Sequence, residues 1–238
     1  MLAKDIIFEG ITSLYQHKLA LLKALSIPMF LALLLVIVAD TVTVSMPWLM
    51  VVVIMHLLLS AYIAIAAHRA ILLKETTMTI QRRTFFGYIV CSLGILIIMA
   101  PAIAINLIPY IGLEFGLIPH NAEHLVPLIG LILALIFVSL TMAGYYLILP
   151  SAAINQSLSY IATWEISKNH FGTLFICVVL VVAIISIPGY LMDYLLGITI
   201  LSEVYFWLTF IVNVAILSAA YRHIVNPNCG IISPDLRD

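Results

Sequence analysis

The stretch Pro47–Ala67 reads PWLMVVVIMHLLLSAYIAIAA and contains no Lys, Arg, Asp or Glu. As a helix it has no polar side, so it has no face to turn toward water. An α-helix rises about 1.5 Å per residue, and roughly 20 residues cross a hydrocarbon core of about 30 Å.

Five further stretches have the same character: Ala20–Ala39, Tyr88–Ile108, Leu125–Ile148, Thr173–Leu191 and Tyr205–Ala220. The whole chain of 238 residues is 64% hydrophobic and 9% charged, with a mean hydropathy of +1.22. Soluble domains carry about 25% charged residues. The composition therefore excludes a soluble enzyme, a nucleic-acid-binding module and a disordered chain, and makes membrane lipid the expected surrounding partner. A formal charge of -1 gives no sign of a nucleic acid or other polyanion. Cys91, Cys177 and Cys229 are too few and too scattered for a disulfide framework or a zinc module. Lys23 lies near the end of the first stretch, where its stem can reach the headgroups. That stretch is too long and starts too late for a cleaved signal peptide, so it reads as a retained helix. The last stretch is short and is expected to continue past Ala220.

All ten Lys and Arg fall on one side of these six spans, while Asp40, Glu114, Glu123, Asp193 and Glu203 fall on the other. The positive-inside rule then places both termini in the cytoplasm. Two segments on the basic side have amphipathic patterns. Lys4–His17 sets Ile6, Ile7, Ile11, Leu14 and Tyr15 on one face, and Ser151–His170 carries a stripe of Ile154, Leu158 and Ile161. Both suit helices lying in the cytoplasmic interface, with Trp164 at headgroup level. Their expected role is to steer the chain into the next span.

The even-numbered spans end alike, in Ala66-Ala67-His68-Arg69, Ala143-Gly144-Tyr145-Tyr146 and Ala219-Ala220-Tyr221-Arg222. The near-equal spacing of positions 69, 146 and 222 implies three helical hairpins of common design, over about 1–80, 81–152 and 153–238, within a single polytopic domain. Phe86-Gly87 and Phe171-Gly172 open spans three and five, each with a proline near the far end, Pro101 and Pro188. The small pairs let helix backbones approach closely. Arg69, Tyr146 and Arg222 are then expected at one depth, at the cytoplasmic boundary. They read first as interface anchors and, more sharply, as a ring able to reach phosphates.

The same residues carry a resemblance. Ala67-His68-Arg69 with Leu72-Leu73-Lys74-Glu75, and Leu149-Pro150-Ser151-Ala152-Ala153 with Trp164 and Ser167, resemble motifs of six-span bacterial inner-membrane proteins of the YciC-like type. A similar membrane domain is fused to some glycerophosphodiester phosphodiesterases. The layout covers almost the whole chain and the specific motifs about 40 residues. That pattern usually has Arg where this chain has Tyr146. The resemblance implies an all-α bacterial inner-membrane protein without defined biochemistry. It does not imply phosphodiesterase activity, since no soluble catalytic domain accompanies it here.

Two residues lie deep in spans: His56 in span two and Asn213 in span six. Polar groups at that depth are costly and usually face the bundle interior. They are either stations on a substrate or proton path or polar packing between helices. His120-Asn121-Ala122-Glu123-His124 matches the inverted zincin pattern, in which two imidazoles hold a metal beside a carboxylate base. The acidic helix that usually follows is missing, so the motif reads as a solvated loop and helix cap, with no metal or other cofactor expected. There is no Gly-rich phosphate loop and no nucleophile elbow. The expected function is therefore non-enzymatic: binding or moving a lipid or small hydrophobic molecule, or supporting envelope homeostasis. A structural subunit packed against a membrane-protein partner or a second copy is one alternative. A metalloenzyme using His120, Glu123 and His124 is the other.

Overall fold

A computed structural model describes residues 2–41, 46–75, 80–116, 125–156, 158–197 and 199–225. These are mostly helical, with no strand among them. The order is α1 (Leu2–Gln16), α2 (Lys18–Thr41), α3 (Met46–Leu72), α4 (Arg82–Glu114), α5 (Leu125–Tyr145), α6 (Ile148–Ala153), α7 (Tyr160–Lys168), α8 (Phe171–Leu174), a π-helical segment Phe175–Leu180, α9 (Val181–Leu196) and α10 (Thr199–Ile224). Six of these runs are long and apolar enough to cross a membrane: Lys18–Val38, Met50–Leu72, Arg82–Glu114, Leu125–Tyr145, Phe171–Met192 and Ile200–Ile224. The protein is an all-helical, multi-pass membrane protein. The long helices pack as neighbours, α2 on α3, α4 on α5 and α9 on α10, and α10 also lies against α3.

The packing is that of a bundle solvated by lipid. Large apolar side chains such as Ile27, Phe30, Ile97, Ile103, Ile132 and Leu135 face outward. The interior is rich in alanine: Ala24, Ala32, Ala64, Ala66, Ala67, Ala70, Ala215, Ala219 and Ala220 are all buried. Lipid tails are as apolar as leucine, so helices associate through close contact, and small residues permit it. The small pairs Ala66-Ala67 and Ala219-Ala220 lie in this interior.

Several element ends differ from the sequence expectations. α4 is longer than Tyr88–Ile108 and runs through both Pro101 and Pro109. Its 33 residues measure roughly 50 Å, well beyond a hydrocarbon core of about 30 Å. The fourth span stops at Tyr145 rather than Ile148, because Pro150 has no N–H to give to the carbonyl of Tyr146 and its ring crowds that oxygen. The Tyr146 carbonyl accepts instead from Leu149 N–H, 3.1 Å away, in a tighter turn. The last helix does continue, to Ile224.

The segment Ser151–His170 is not one amphipathic stripe. Asn155 takes the left-handed conformation, φ 59°, and divides α6 from α7. Ile154 is buried in the bundle while Ile161 is exposed, so the two residues do not share a face. Trp164 is partly exposed, but its ring stacks on Tyr145 at 5.5 Å and lies over Gly144. A Cβ at Gly144 would come within 2.6 Å of that ring, so glycine makes the contact possible.

α1 likewise has two apolar sides. Ile6, Gly10 and Ser13 are buried against the bundle, chiefly on α10. Phe8, Ile11 and Tyr15 are exposed. Ile6 therefore packs inside the protein, whereas Ile11 and Tyr15 keep the orientation of an interfacial face.

Candidate functional site

Two places gather polar groups. The first is the basic end of the bundle, where the even-numbered spans finish. Arg69 gives a two-pronged bond to Glu75, Nε to Oε2 at 2.7 Å and Nη2 to Oε1 at 2.6 Å, and its Nη1 reaches the carbonyl of Ala153 at 3.3 Å. Arg222 donates to Glu9 Oε1 at 2.6 Å and to the carbonyl of Ile71 at 2.8 Å, and His223 Nε2 meets the other Glu9 oxygen at 2.6 Å. The end of α10 is thus tied to the end of α3, and α3 to the end of α6. Tyr146 sits in the turn after α5, where burial holds its hydroxyl above the usual phenol range. Both guanidinium groups are occupied by carboxylates, so neither is presented as an open phosphate ligand. This is a charge-assisted clasp.

The loop after α6 completes the clasp. Asn155 accepts from Thr84 Oγ1 at 2.8 Å, and Gln156 Oε1 accepts from Tyr221 Oη at 2.5 Å. Tyr160 Oη donates to the carbonyl of Cys91 at 2.7 Å, and burial raises its pKa above the usual value. His17 is held below its ordinary 6.5, first by burial and then by the charges of Lys74 and Arg222. Just inside, His68 is fully buried, with Nδ1 2.8 Å from Ser218 Oγ. Ser218 spends its hydrogen on the carbonyl of Val214, also 2.8 Å away. The pair is therefore satisfied when His68 Nδ1 is the donor, which leaves Nε2 as a bare acceptor, and that atom has no partner. His68 stands in the repeat motif, which does not by itself mark it as buried. Its place between two small-residue contacts was the available signal.

The second place is a half-enclosed cleft of about 290 Å³ between α9 and α10. Ser186, Gly189 and Tyr190 line it from α9, and Glu203, Tyr205, Phe206, Thr209 and Asn213 from α10. Its shape follows from Pro188-Gly189. Pro188 cannot bond to the carbonyl of Ile184. Gly189 admits the Tyr205 ring, which would lie 2.8 Å from a Cβ there, and Tyr205 Oη donates to the carbonyl of Ile185 at 2.7 Å. The rings of Tyr190 and Phe206 are exposed at the rim. Glu203 Oε1 accepts from Trp207 Nε1 at 2.8 Å, and Trp207 itself is fully buried. At the inner end, Asn213 Oδ1 is buried without a hydrogen-bond partner.

His56 and Asn213 are not brought to one cavity. His56 packs against Trp207 and Phe206, ring centroids 5.2 and 6.4 Å apart, on the α3 side of α10. It is not among the residues lining the cleft. Phe206 touches both, and so separates the imidazole from the space that reaches Asn213.

The motif His120, Glu123 and His124 lies outside the described residues, as does Cys229. Among the described residues, no three His, Cys, Asp or Glu converge on a point that would hold a metal. No family model, curated protein or solved structure matches the chain.

Proposed function

We propose that the protein binds or moves a lipid or small hydrophobic molecule through the cleft between α9 and α10, without a catalytic site of its own. One observation carries this reading: a cleft between α9 and α10 is lined by Asn213, whose amide oxygen is buried with no hydrogen-bond partner. A buried acceptor left unmade costs about 1–3 kcal/mol. A turn of the amide toward the cleft would let an amphiphile there supply the missing partner. Native mass spectrometry of protein released gently from its own membrane should show a one-to-one adduct of lipid-like mass. The variant Ser186→Phe fills the cleft and should lose the adduct while keeping its thermal transition. An adduct that survives Ser186→Phe would place the ligand elsewhere.

The proposal includes a setting. The protein is a bacterial inner-membrane protein of three hairpin repeats, with both termini cytoplasmic and the α9/α10 cleft opening toward the outer side. The distribution of basic residues supports this orientation, since every Lys and Arg lies on one side of the six spans. Reporter fusions after Glu114 and at the C-terminus should give opposite compartment signals. In intact cells Cys229 should resist a membrane-impermeant thiol reagent, and its rapid labelling would invert the topology.

A further inference from the structure

We infer that the occupant of the α9/α10 cleft is an uncharged, single-chain amphiphile whose hydroxyl group bonds to Asn213. This rests on the reading that the cleft holds a lipid-like molecule, and it names the class.

The hydrogen-bond balance of the lining gives the chemistry. Thr209 Oγ1 donates to the carbonyl of Phe206 at 2.8 Å, and Tyr205 Oη to that of Ile185 at 2.7 Å. Their hydrogens are spent on the backbone, and what they still present are acceptor lone pairs. Asn213 adds a buried acceptor with no partner. Ser186, Ser202 and Tyr190 line the rest with hydroxyl groups, so the lining offers both donors and acceptors and, apart from Glu203, no charge. A carboxylate or phosphodiester would carry a negative charge into this space. It would also meet Glu203 at the mouth, and no Lys, Arg or His lines the space. An ammonium group brings donors, but Asn213 lies ten residues along α10 from Glu203, roughly 15 Å deeper, where a charge is costly. A hydroxyl supplies a donor and an acceptor at no charge. It matches the Asn213 amide whichever way the amide is turned, since that side chain has one end of each kind.

Size limits the rest. A volume of about 290 Å³ lies just under the range of ligand pockets, roughly 300–1,000 Å³. It suits one chain segment with a small head. Tyr190, Phe206 and Phe210 provide the aromatic walls along which such a chain would lie. Long-chain alcohols and monoacylglycerols share this chemistry.

The test is photolabelling of the full chain in nanodiscs with a diazirine-bearing fatty alcohol, set beside the fatty acid and the fatty amine of the same chain. The alcohol should label peptides of α9 and α10 at least about tenfold more than either charged analogue. Excess monoacylglycerol should compete with it if the native source is a glyceride, and excess plain alcohol alone if it is not. Asn213→Leu should reduce labelling about tenfold, the effect of one lost buried hydrogen bond. Ser186→Phe should abolish it. The comparison of three probes is made on the unaltered protein, so it stands even if a variant folds poorly. Equal labelling by acid or amine, with Ser186→Phe still abolishing it, would overturn the hydroxyl assignment and leave the lipid cleft intact. Labelling of α9 and α10 no stronger than that of the lipid-facing surface of α2, and indifferent to Ser186→Phe, would overturn both.

Discussion

Gly10→Leu is expected to release α1 from the bundle. A Cβ at Gly10 would come within 2.9 Å of the Ile216 Cα and 3.0 Å of its N. Those are backbone atoms of α10 and cannot swing aside as a side chain can. Inserting bulk into a packed contact typically costs about 1–3 kcal/mol, and occasionally more. The cost here is concentrated on one seam, because α1 is held chiefly by α10. Undocking would also remove Glu9 from Arg222 and His223. Hydrogen exchange should therefore rise across α1 and at the end of α10 together, with α4 and α5 unchanged. Gly10→Ala should show the same pattern in smaller degree. Unchanged exchange at Ile6 and Ser13 in the Gly10→Leu protein would mean that this seat does not hold the helix.

The second large effect is expected at Arg69. Its side chain is 15% exposed, and it satisfies both Glu75 oxygens and the Ala153 carbonyl at once. Arg69→Ala strands the carboxylate and the carbonyl together. Charged hydrogen bonds contribute about 1.5–3 kcal/mol each, and partial exposure of Glu75 reduces what the pair adds. A net loss of about 2 kcal/mol is expected. Arg69→Lys should recover less than half, since an ammonium has no planar fork to match the carboxylate. A double-mutant cycle with Glu75→Ala isolates the pair. Coupling above about 1 kcal/mol supports a fixed Arg69–Glu75 fork at the end of α3. Coupling near zero would reduce it to an ordinary surface ion pair.

The six spans were legible because they rest on a long-range average. Twenty apolar residues in succession have one explanation, and errors at the ends do not change it. Helix ends depend on single residues. Pro150 was in plain view, and its missing N–H places the break at Tyr146, yet apolar periodicity runs on through Ile148 and hides it. The segment after α6 was misjudged for a similar reason. Ile154, Leu158 and Ile161 have helical spacing, but Asn155 turns left-handed between them. No pattern of hydropathy records that turn.

The polar clasp was half legible. Arg69 and Arg222, which anchor it, stand near the ends of α3 and α10. Glu75 lies only six residues from Arg69, but the partner of Arg222 was out of reach, because Glu9 stands 213 residues away and nothing local links them. Only packing of α1 on α10 brings them together. It also changes their meaning: an arginine that reads as an interface anchor, or more sharply as a phosphate ligand, is neutralised within the fold. The deep position of Asn213 was readable from its place in span six. The space beside it was not, since that space is made by Pro188, Gly189 and the Tyr205 ring acting across two helices. His56 shows the limit of depth alone. It is as deep as Asn213, but the rings of Trp207 and Phe206 occupy the place where a path would run.

The central claim is that the α9/α10 cleft holds an amphiphile against Asn213. A cryo-EM map of the full chain, extracted with its own lipids into nanodiscs, tests it most directly. The account predicts elongated density along Tyr190, Phe206 and Phe210, ending within hydrogen-bond distance of the Asn213 amide and missing from the Ser186→Phe protein. A well-resolved map in which α9 and α10 close on each other, with Asn213 bonded to a neighbouring helix and no space beside it, would contradict the claim.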